Sequence, residues 1–229
     1  ADLGAEKFLD IKCRKAGLEP DAVVVVATVR ALKMHGGLAK TELAMENLEA
    51  LGKGAPNLLR HVSNIRNVYK LPCVVAINRF PTDTDAEINF IIGKCRELGV
   101  NVVLSTVWAD GGKGGEALAR EVVRLCEEER GDFTFCYRDE DPIEEKIEAV
   151  VKKVYGGDGI TINPQAKKQI ETLNALGFSR LPVCIAKTQY SFSDNPALLG
   201  APEGFKITVR NVEVSAGAGF IVVLTGEIM

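Results

Sequence analysis

The feature that most constrains the fold is an order of elements repeated three times in the first part of the chain. Apolar runs typical of buried strands cover Val23 to Val29, Cys73 to Asn78 and residues 100–106. Each run is followed by a polar loop and then by a stretch with helical spacing of apolar residues. This order is typical of α/β folds in which crossover helices connect parallel strands. The sequence therefore predicts a doubly wound, mostly parallel sheet.

The loops after these strands are the expected ligand site. Helices are predicted over roughly 41–69, 84–98 and 116–129, and the β-branched run 23–29 is expected to be covered on both faces. Because parallel strands with right-handed crossovers place their following loops on one edge of the sheet, three loops should converge there. These predicted loops are residues 30–37, 78–85 and 105–115.

The sequence pattern changes after Arg130, and we therefore expect two domains, residues 1–132 and residues 133–229. Residues after Arg130 are predicted as a linker or a short edge strand, and Gly156 to Ile162 as a turn. The remaining pattern indicates a second α/β subdomain. Its predicted elements are helices 143–155 and 164–176 and strands within 181–189, 205–214 and 217–226.

Composition excludes several classes of protein. The chain has 28 basic and 31 acidic residues and a net charge of −3, which argues against general nucleic-acid binding. No apolar run approaches the length of a membrane span, and the start of the chain has no signal-peptide pattern. The six cysteines are scattered without a C-x-x-C pair, so we expect no metal site and a reduced, cytoplasmic protein.

The stretch NRFPTDT after the second strand suits recognition of a nucleotide base. The amide of Asn78 offers a donor and an acceptor together, Phe80 could wall a flat ring, and Asp83 could accept from an exocyclic amine. Turn and helix-capping chemistry explains the same residues, and both interpretations can hold.

Cations and a tryptophan follow the other two strands. Arg30, Lys33 and His35 would suit an anionic ligand or phosphoryl transfer, although a solvated basic loop has the same composition. The only tryptophan, Trp108, could stack on a ring or cover the edge of the sheet. The stretch HGGLAKT is not a Walker A phosphate loop, because Ala39 precedes Lys40 where glycine is required.

A loop late in the chain combines aromatic and hydrogen-bonding residues. Lys187, Tyr190 and Phe192 lie in AKTQYSFSDN, and Phe178 follows a predicted helix end at Gly177. Such a mixture suits a flat heterocycle such as a pterin. A surface loop held by two aromatic residues is the alternative.

Taken together, six stretches resemble one family along the whole chain, the formate–tetrahydrofolate ligases. The resemblance is closer to the stand-alone bacterial enzymes than to the ligase domain of larger eukaryotic folate enzymes. The stretches are ADLGAEKFLDIKCR, ATVRALKMHGG, VVAINRFPTDTDAE, VWADGGKGG, LPVCIAKTQYSFSDNP and VSAGAGFIVVLTGEIM.

The resemblance implies a fold related to P-loop NTPases and an ATP-dependent reaction. Formate attacks the γ-phosphate of Mg-ATP to give formyl phosphate and ADP, and N10 of tetrahydrofolate then takes the formyl group and expels phosphate. It implies Mg²⁺ and a monovalent cation as accompanying ions. By resemblance, nucleotide-binding candidates are Asn78, Phe80, Asp83 and Trp108, catalytic candidates are Lys33 and His35, and folate-binding candidates are Phe178, Lys187, Tyr190 and Phe192.

The sequence departs from the family in lacking the N-terminal region with its phosphate loop and the tail after GEIM. We therefore expect a partial chain that is inactive alone and that forms a homo-oligomer to cover sheet surface. Two other functions stay open: a non-catalytic folate- or nucleotide-binding module derived from the enzyme, and an unrelated half of a P-loop NTPase. No nucleic-acid or membrane partner is expected.

Overall fold

A computed structural model describes residues 4–226, and its chain divides into two compact units. Pro20–Phe133 form one unit, and Ala1–Glu19 together with Thr134–Met229 form the other. Each unit contains one sheet with helices interleaved between its strands, so the predicted α/β class is confirmed. No helix within the described range combines the length and the hydropathy that a membrane crossing requires.

The unit Pro20–Phe133 is built on a parallel sheet of three strands in the order β1-β2-β3. Val23 of β1 pairs with Cys73 of β2, and Asn78 of β2 pairs with Ser105 of β3, so the three carboxyl ends lie at one edge. The strands are β1 (Val23–Ala27), β2 (Cys73–Asn78) and β3 (Val102–Ser105).

Five α-helices accompany this sheet. Their bounds are α2 (Val29–His35), α3 (Leu48–Ser63, continued by a π-helical turn Asn64–Val68), α4 (Asp85–Glu97), α5 (Val107–Asp110) and α6 (Glu116–Glu128). Helix α3 contacts β1, α4 contacts β3, and α6 contacts β2 and β3.

Helices α2 and α3 cross so closely that glycine is required on both. A Cβ at Gly54 would lie 1.8 Å from the carbonyl oxygen of Leu32, and one at Gly36 would lie 1.8 Å from that of Ala50. Because backbone cannot yield by that amount, a side chain at either position would separate the helices. The crossing fixes α2 at the carboxyl end of β1.

Three predictions for this unit are wrong. Residues 29–35 form a helix rather than a loop, because Thr28 caps the N–H of Ala31. The long helix begins at Leu48, capped by Asn47, rather than near residue 41. Strand β1 is an edge strand that is not covered on both faces, since the side chain of Val26 is 65% exposed.

The other unit contains a mixed sheet of four strands in the order β4-β6-β7-β5. Strand β4 is parallel to β6, β5 is parallel to β7, and β6 and β7 form an antiparallel hairpin. The strands are β4 (Gly159–Ile162), β5 (Val183–Ala186), β6 (Lys206–Ser215) and β7 (Phe220–Thr225).

Three helical segments complete this unit. They are a π-helical stretch Phe8–Cys13 that continues as α1 (Arg14–Ala16), α7 (Ile143–Ala149) that continues as the π-helical turn Val150–Tyr155, and α8 (Pro164–Ala175). The predicted turn at 156–162 is wrong, because Gly159–Ile162 pairs with β6 as a strand. Residues 134–142 form no strand, so this segment is a linker and not the short edge strand that was the other prediction.

Candidate functional site

The candidate residues of the unit Pro20–Phe133 lie at the edge formed by the carboxyl ends of β1, β2 and β3. Lys33 and His35 lie on α2 directly after β1, Asn78 ends β2, and Trp108 lies on α5 after β3. The backbone N–H of Arg79 donates to the carbonyl of Ser105 over 3.1 Å, which extends the pairing of β2 and β3 beyond the strands. The loops predicted to converge therefore follow neighbouring strands at one edge.

Asp83 closes a tight turn at this edge. Its Oδ2 accepts from the backbone N–H of Phe80 over 2.8 Å, while Oδ1 is buried without a hydrogen-bond partner in the described structure. Burial raises the pKa of the Asp83 carboxyl, and nearby Glu87 raises it further, against the hydrogen bond from Phe80 and the charges of Lys33 and Arg30. A buried acceptor oxygen without a partner is costly, and an N–H donor from a ligand would relieve that cost.

Phe80 is half-buried beside a cation. The guanidinium of Arg30 lies 5.7 Å from the centroid of its ring, within the range of cation–π attraction. Asn78 is also half-buried, so its amide remains within reach of solvent. The edge thus offers an amide, an aromatic ring and a cation close to the Asp83 turn.

Lys33 is not a solvent-facing cation. It is fully buried, and its Nζ lies 2.8 Å from Oε1 of Glu87 and 2.8 Å from the carbonyl oxygen of Met45. His35, at the end of α2, is 4% exposed. In this arrangement the ammonium of Lys33 joins α2 to the first turn of α4, and its charge is already compensated.

Glu87 is the residue that sequence reasoning missed. Its Oε2 accepts from the N–H of Thr84, whose hydroxyl accepts from the N–H of Glu87, so the two residues form a capping box. Oε1 also accepts from the N–H of Asn47 over 3.0 Å. Burial acts to raise the pKa of Glu87, but the hydrogen bonds from Lys33, Asn47 and Thr84 outweigh it and lower that pKa. The spacing T-x-x-E could have indicated the cap, although not the buried partner.

The third predicted loop, residues 105–115, is largely helical, because it contains α5 and a glycine-rich 3₁₀ helix Gly111–Gly115. The N–H of Thr106 donates to the carbonyl of Gly114 over 3.1 Å, and a Cβ at Gly114 would lie 2.5 Å from the carbonyl carbon of Thr106. Trp108 lies on α5 with 75% of its surface exposed. The indole is therefore accessible to a ligand.

The folate candidates occupy the other unit, at opposite ends of β5. Phe178 precedes the strand and is half-buried, whereas Lys187, Tyr190 and Phe192 follow it. Nζ of Lys187 lies 4.9 Å from the ring centroid of the buried Tyr155 and donates to the carbonyls of its own loop. The ring of Phe192 is 1% exposed and belongs to the core, while Tyr190 is half-buried. The strand thus separates Phe178 from the other three candidates along the sheet.

No cluster of three or more His, Cys, Asp or Glu side chains able to hold a metal ion occurs among residues 4–226.

A comparison with known protein families gives a match that spans the chain. The family model described as formate–tetrahydrofolate ligase matches residues 1–229. The chain belongs to the formate–tetrahydrofolate ligase family.

Proposed function

We propose that the chain belongs to a ligase that uses ATP to join formate to tetrahydrofolate, and that it supplies the adenine side and part of the folate side. Formate has oxide as its only leaving group, so phosphorylation to formyl phosphate is needed before N10 of the folate can take the formyl carbon. Loss of phosphate then completes the transfer. We also propose that Mg²⁺ binds together with the phosphates of the nucleotide, and that the ligase uses a monovalent cation.

The observation that carries the adenine side is the unpartnered, buried Oδ1 of Asp83. Asp83 lies in the turn that it closes with Phe80, in the loop that follows Asn78 at the end of β2. In the proposed complex, the amide of Asn78 and the carboxyl of Asp83 take the hydrogen-bonding edge of adenine, and Phe80 lies against its face. Trp108, on the neighbouring turn, is proposed as a second surface for the nucleotide.

Lys33 and His35 are proposed to act near the phosphates, with a specific limit on Lys33. Because its ammonium is bonded to Glu87 and Met45, direct contact with a phosphate would require those bonds to break. The structure therefore favours a positioning role for Lys33, in which it holds α2 against the start of α4. The basic side chain of α2 that remains partly free is Arg30, beside Phe80.

On the folate side, Phe178, Lys187, Tyr190 and Phe192 stay the proposed contacts. Tyr190 and Phe178 are half-buried at opposite ends of β5, and each is proposed to contact a different part of the folate, whereas Phe192 acts through the core under its loop. A non-catalytic binding module would use the same contacts. The two functions differ in turnover, not in binding.

Calorimetric titration tests the binding contacts that both functions share. We expect tetrahydrofolate to bind the isolated chain, ATP to bind weakly, and Asp83→Asn to weaken ATP binding about tenfold through loss of one charge-assisted contact. An assay of ADP release with formate and tetrahydrofolate should show no turnover by the isolated chain, because its stretch HGGLAKT has Ala39 where a phosphate loop requires glycine. Ordinary enzymatic turnover by the isolated chain would contradict this part of the proposal.

The cytoplasmic location and the homo-oligomer are also proposals. The exposed valines of edge strand β1 support association, because apolar side chains on an unpaired edge favour contact with another chain. Sedimentation of the purified chain tests this, and a stable monomer at all concentrations would argue against it.

A further inference from the structure

An open cavity of about 390 Å³ lies in the unit that contains β4 to β7, between the N-terminal helical segment and the turn that joins β6 and β7. Its size is within the range of small-molecule sites. None of the residues proposed above for nucleotide, formate or folate lines it. The lining includes Lys7, Ile11, Lys12, Lys15, Ala218 and Phe220, and we refer to it as the lysine cavity.

Two of its three lysines are held in place by the protein. Nζ of Lys7 lies 2.9 Å from Oε1 of Glu6, and its side chain is 36% exposed. Nζ of Lys15 donates to the carbonyls of Ala218 and Gly219 in the β6–β7 turn. Since the ammonium group of Lys15 is already oriented, a ligand would lose little additional side-chain entropy in binding it.

The charge of the lysine cavity is positive. Among residues 4–226 no carboxylate lines it, although Glu6 is paired with Lys7. Burial acts to raise the pKa of Glu6, but Lys7 and the hydroxyl of Tyr155 outweigh it and lower that pKa, so the carboxylate is ionised. Three ammonium groups less this one carboxylate leave two positive charges. A dianion would balance them.

The remaining lining surface is apolar. Ile11 and Phe220 are half-buried and line the same cavity as the lysines, so a short hydrocarbon can pack against them while its charged ends reach the ammonium groups. An inorganic anion has no hydrocarbon part, so the apolar lining would remain exposed to water. The combination of two uncompensated cations and an apolar floor selects an organic dianion.

We propose that the lysine cavity binds a small dicarboxylate, with its carboxylates on Lys12 and Lys15 and its carbon chain on Ile11 and Phe220. Two sources carry this chemistry: a free dicarboxylate, and the glutamate end of a folate. The inference does not depend on the ligase reaction, because no proposed reacting residue takes part.

The test is calorimetric titration of the whole chain with glutarate at low ionic strength. Lys12→Met is the main variant, because Lys12 lines the cavity and is exposed. We expect about fivefold weaker binding for Lys12→Met and a further loss for Lys12→Met/Lys15→Met, as each removes one exposed charge contact. Lys167→Met, an exposed lysine of α8 outside the cavity, is the matched control and should bind as the parent does.

Tetrahydrofolate and tetrahydropteroate, which lacks the glutamate, distinguish the two sources. If Lys12→Met weakens tetrahydrofolate but not tetrahydropteroate, the cavity takes the glutamate end of a folate. If it weakens glutarate alone, the ligand is a free dicarboxylate, and the proposed folate contacts are unaffected by that result. The proposal is overturned if glutarate and tetrahydrofolate bind the Lys12→Met/Lys15→Met chain as tightly as the parent, or if neither binds either chain.

Discussion

Removal of Lys33 should destabilise the unit Pro20–Phe133 far more than removal of a surface lysine. Lys33 and Glu87 are both fully buried and lie 2.8 Å apart. Lys33→Met leaves the carboxylate of Glu87 buried without its counter-charge, which costs about 3–5 kcal/mol when one partner of a buried pair is removed. The backbone N–H groups of Asn47 and Thr84 still bond Glu87, so we expect the lower half of that range.

The assay is urea unfolding followed by circular dichroism, with three variants. Lys33→Met/Glu87→Gln removes both charges and keeps an acceptor for the cap, so it should recover about 1–3 kcal/mol relative to Lys33→Met. Lys40→Met removes an exposed lysine and should change stability by less than about 0.5 kcal/mol. If Lys33→Met behaves as Lys40→Met does, the pair does not hold α2 to α4, and the positioning role of Lys33 is wrong.

Three other predictions concern packing and pH. Gly54→Ala should lower the free energy of unfolding by about 1–3 kcal/mol or more, because its Cβ would lie 1.8 Å from the carbonyl oxygen of Leu32. Gly52→Ala, on the same helix, is the control: its Cβ would have its nearest contact at 3.6 Å, so the same unfolding assay should show no change or a slight stabilisation. Asp83→Asn keeps an acceptor for the N–H of Phe80 and removes a charge that burial disfavours, so thermal unfolding at pH 7 should show no loss of stability; a lower midpoint would contradict the raised pKa of Asp83. Burial lowers the pKa of Lys146, whose Nζ donates to the carbonyls of Ser179 and Leu181, so the unfolded chain binds more protons in the alkaline range and stability should rise as pH approaches 10.5. Lys146→Met should lose that rise, and an equal pH slope in both chains would refute the cause.

The sequence was sufficient for elements with local signals. Helix α4 begins where Thr84 and Glu87 form a capping box, and the strand β2 is a run of apolar residues that ends at Asn78. Such features depend on residues within one turn or one strand, so periodicity and capping residues indicate them.

The features that sequence reasoning missed depend on residues far apart in the chain. Gly159–Ile162 is a strand because it pairs with β6, more than forty residues later, whereas Gly156, Gly157 and Gly159 gave the opposite local signal. The charge of Lys33 predicted a ligand contact, but its partner Glu87 lies on another helix, and only the fold brings the two together. The position of the candidate residues at the sheet edge was predictable because parallel strands align their ends. Their burial was not predictable, because it depends on the packing of other elements.

The central claim is that the carboxyl edge of the parallel sheet binds an adenine nucleotide, and Trp108 offers the most direct test. It is the only tryptophan, it is exposed, and it lies on the turn after β3. Titration with ADP should change its fluorescence saturably, and Asn78→Ala or Phe80→Ala should abolish or strongly weaken the change. Asn101→Ala, at the amino end of β3, should leave it intact. Nucleotide binding that leaves Trp108 emission unchanged, or that ignores the substitutions at Asn78 and Phe80, would contradict the account.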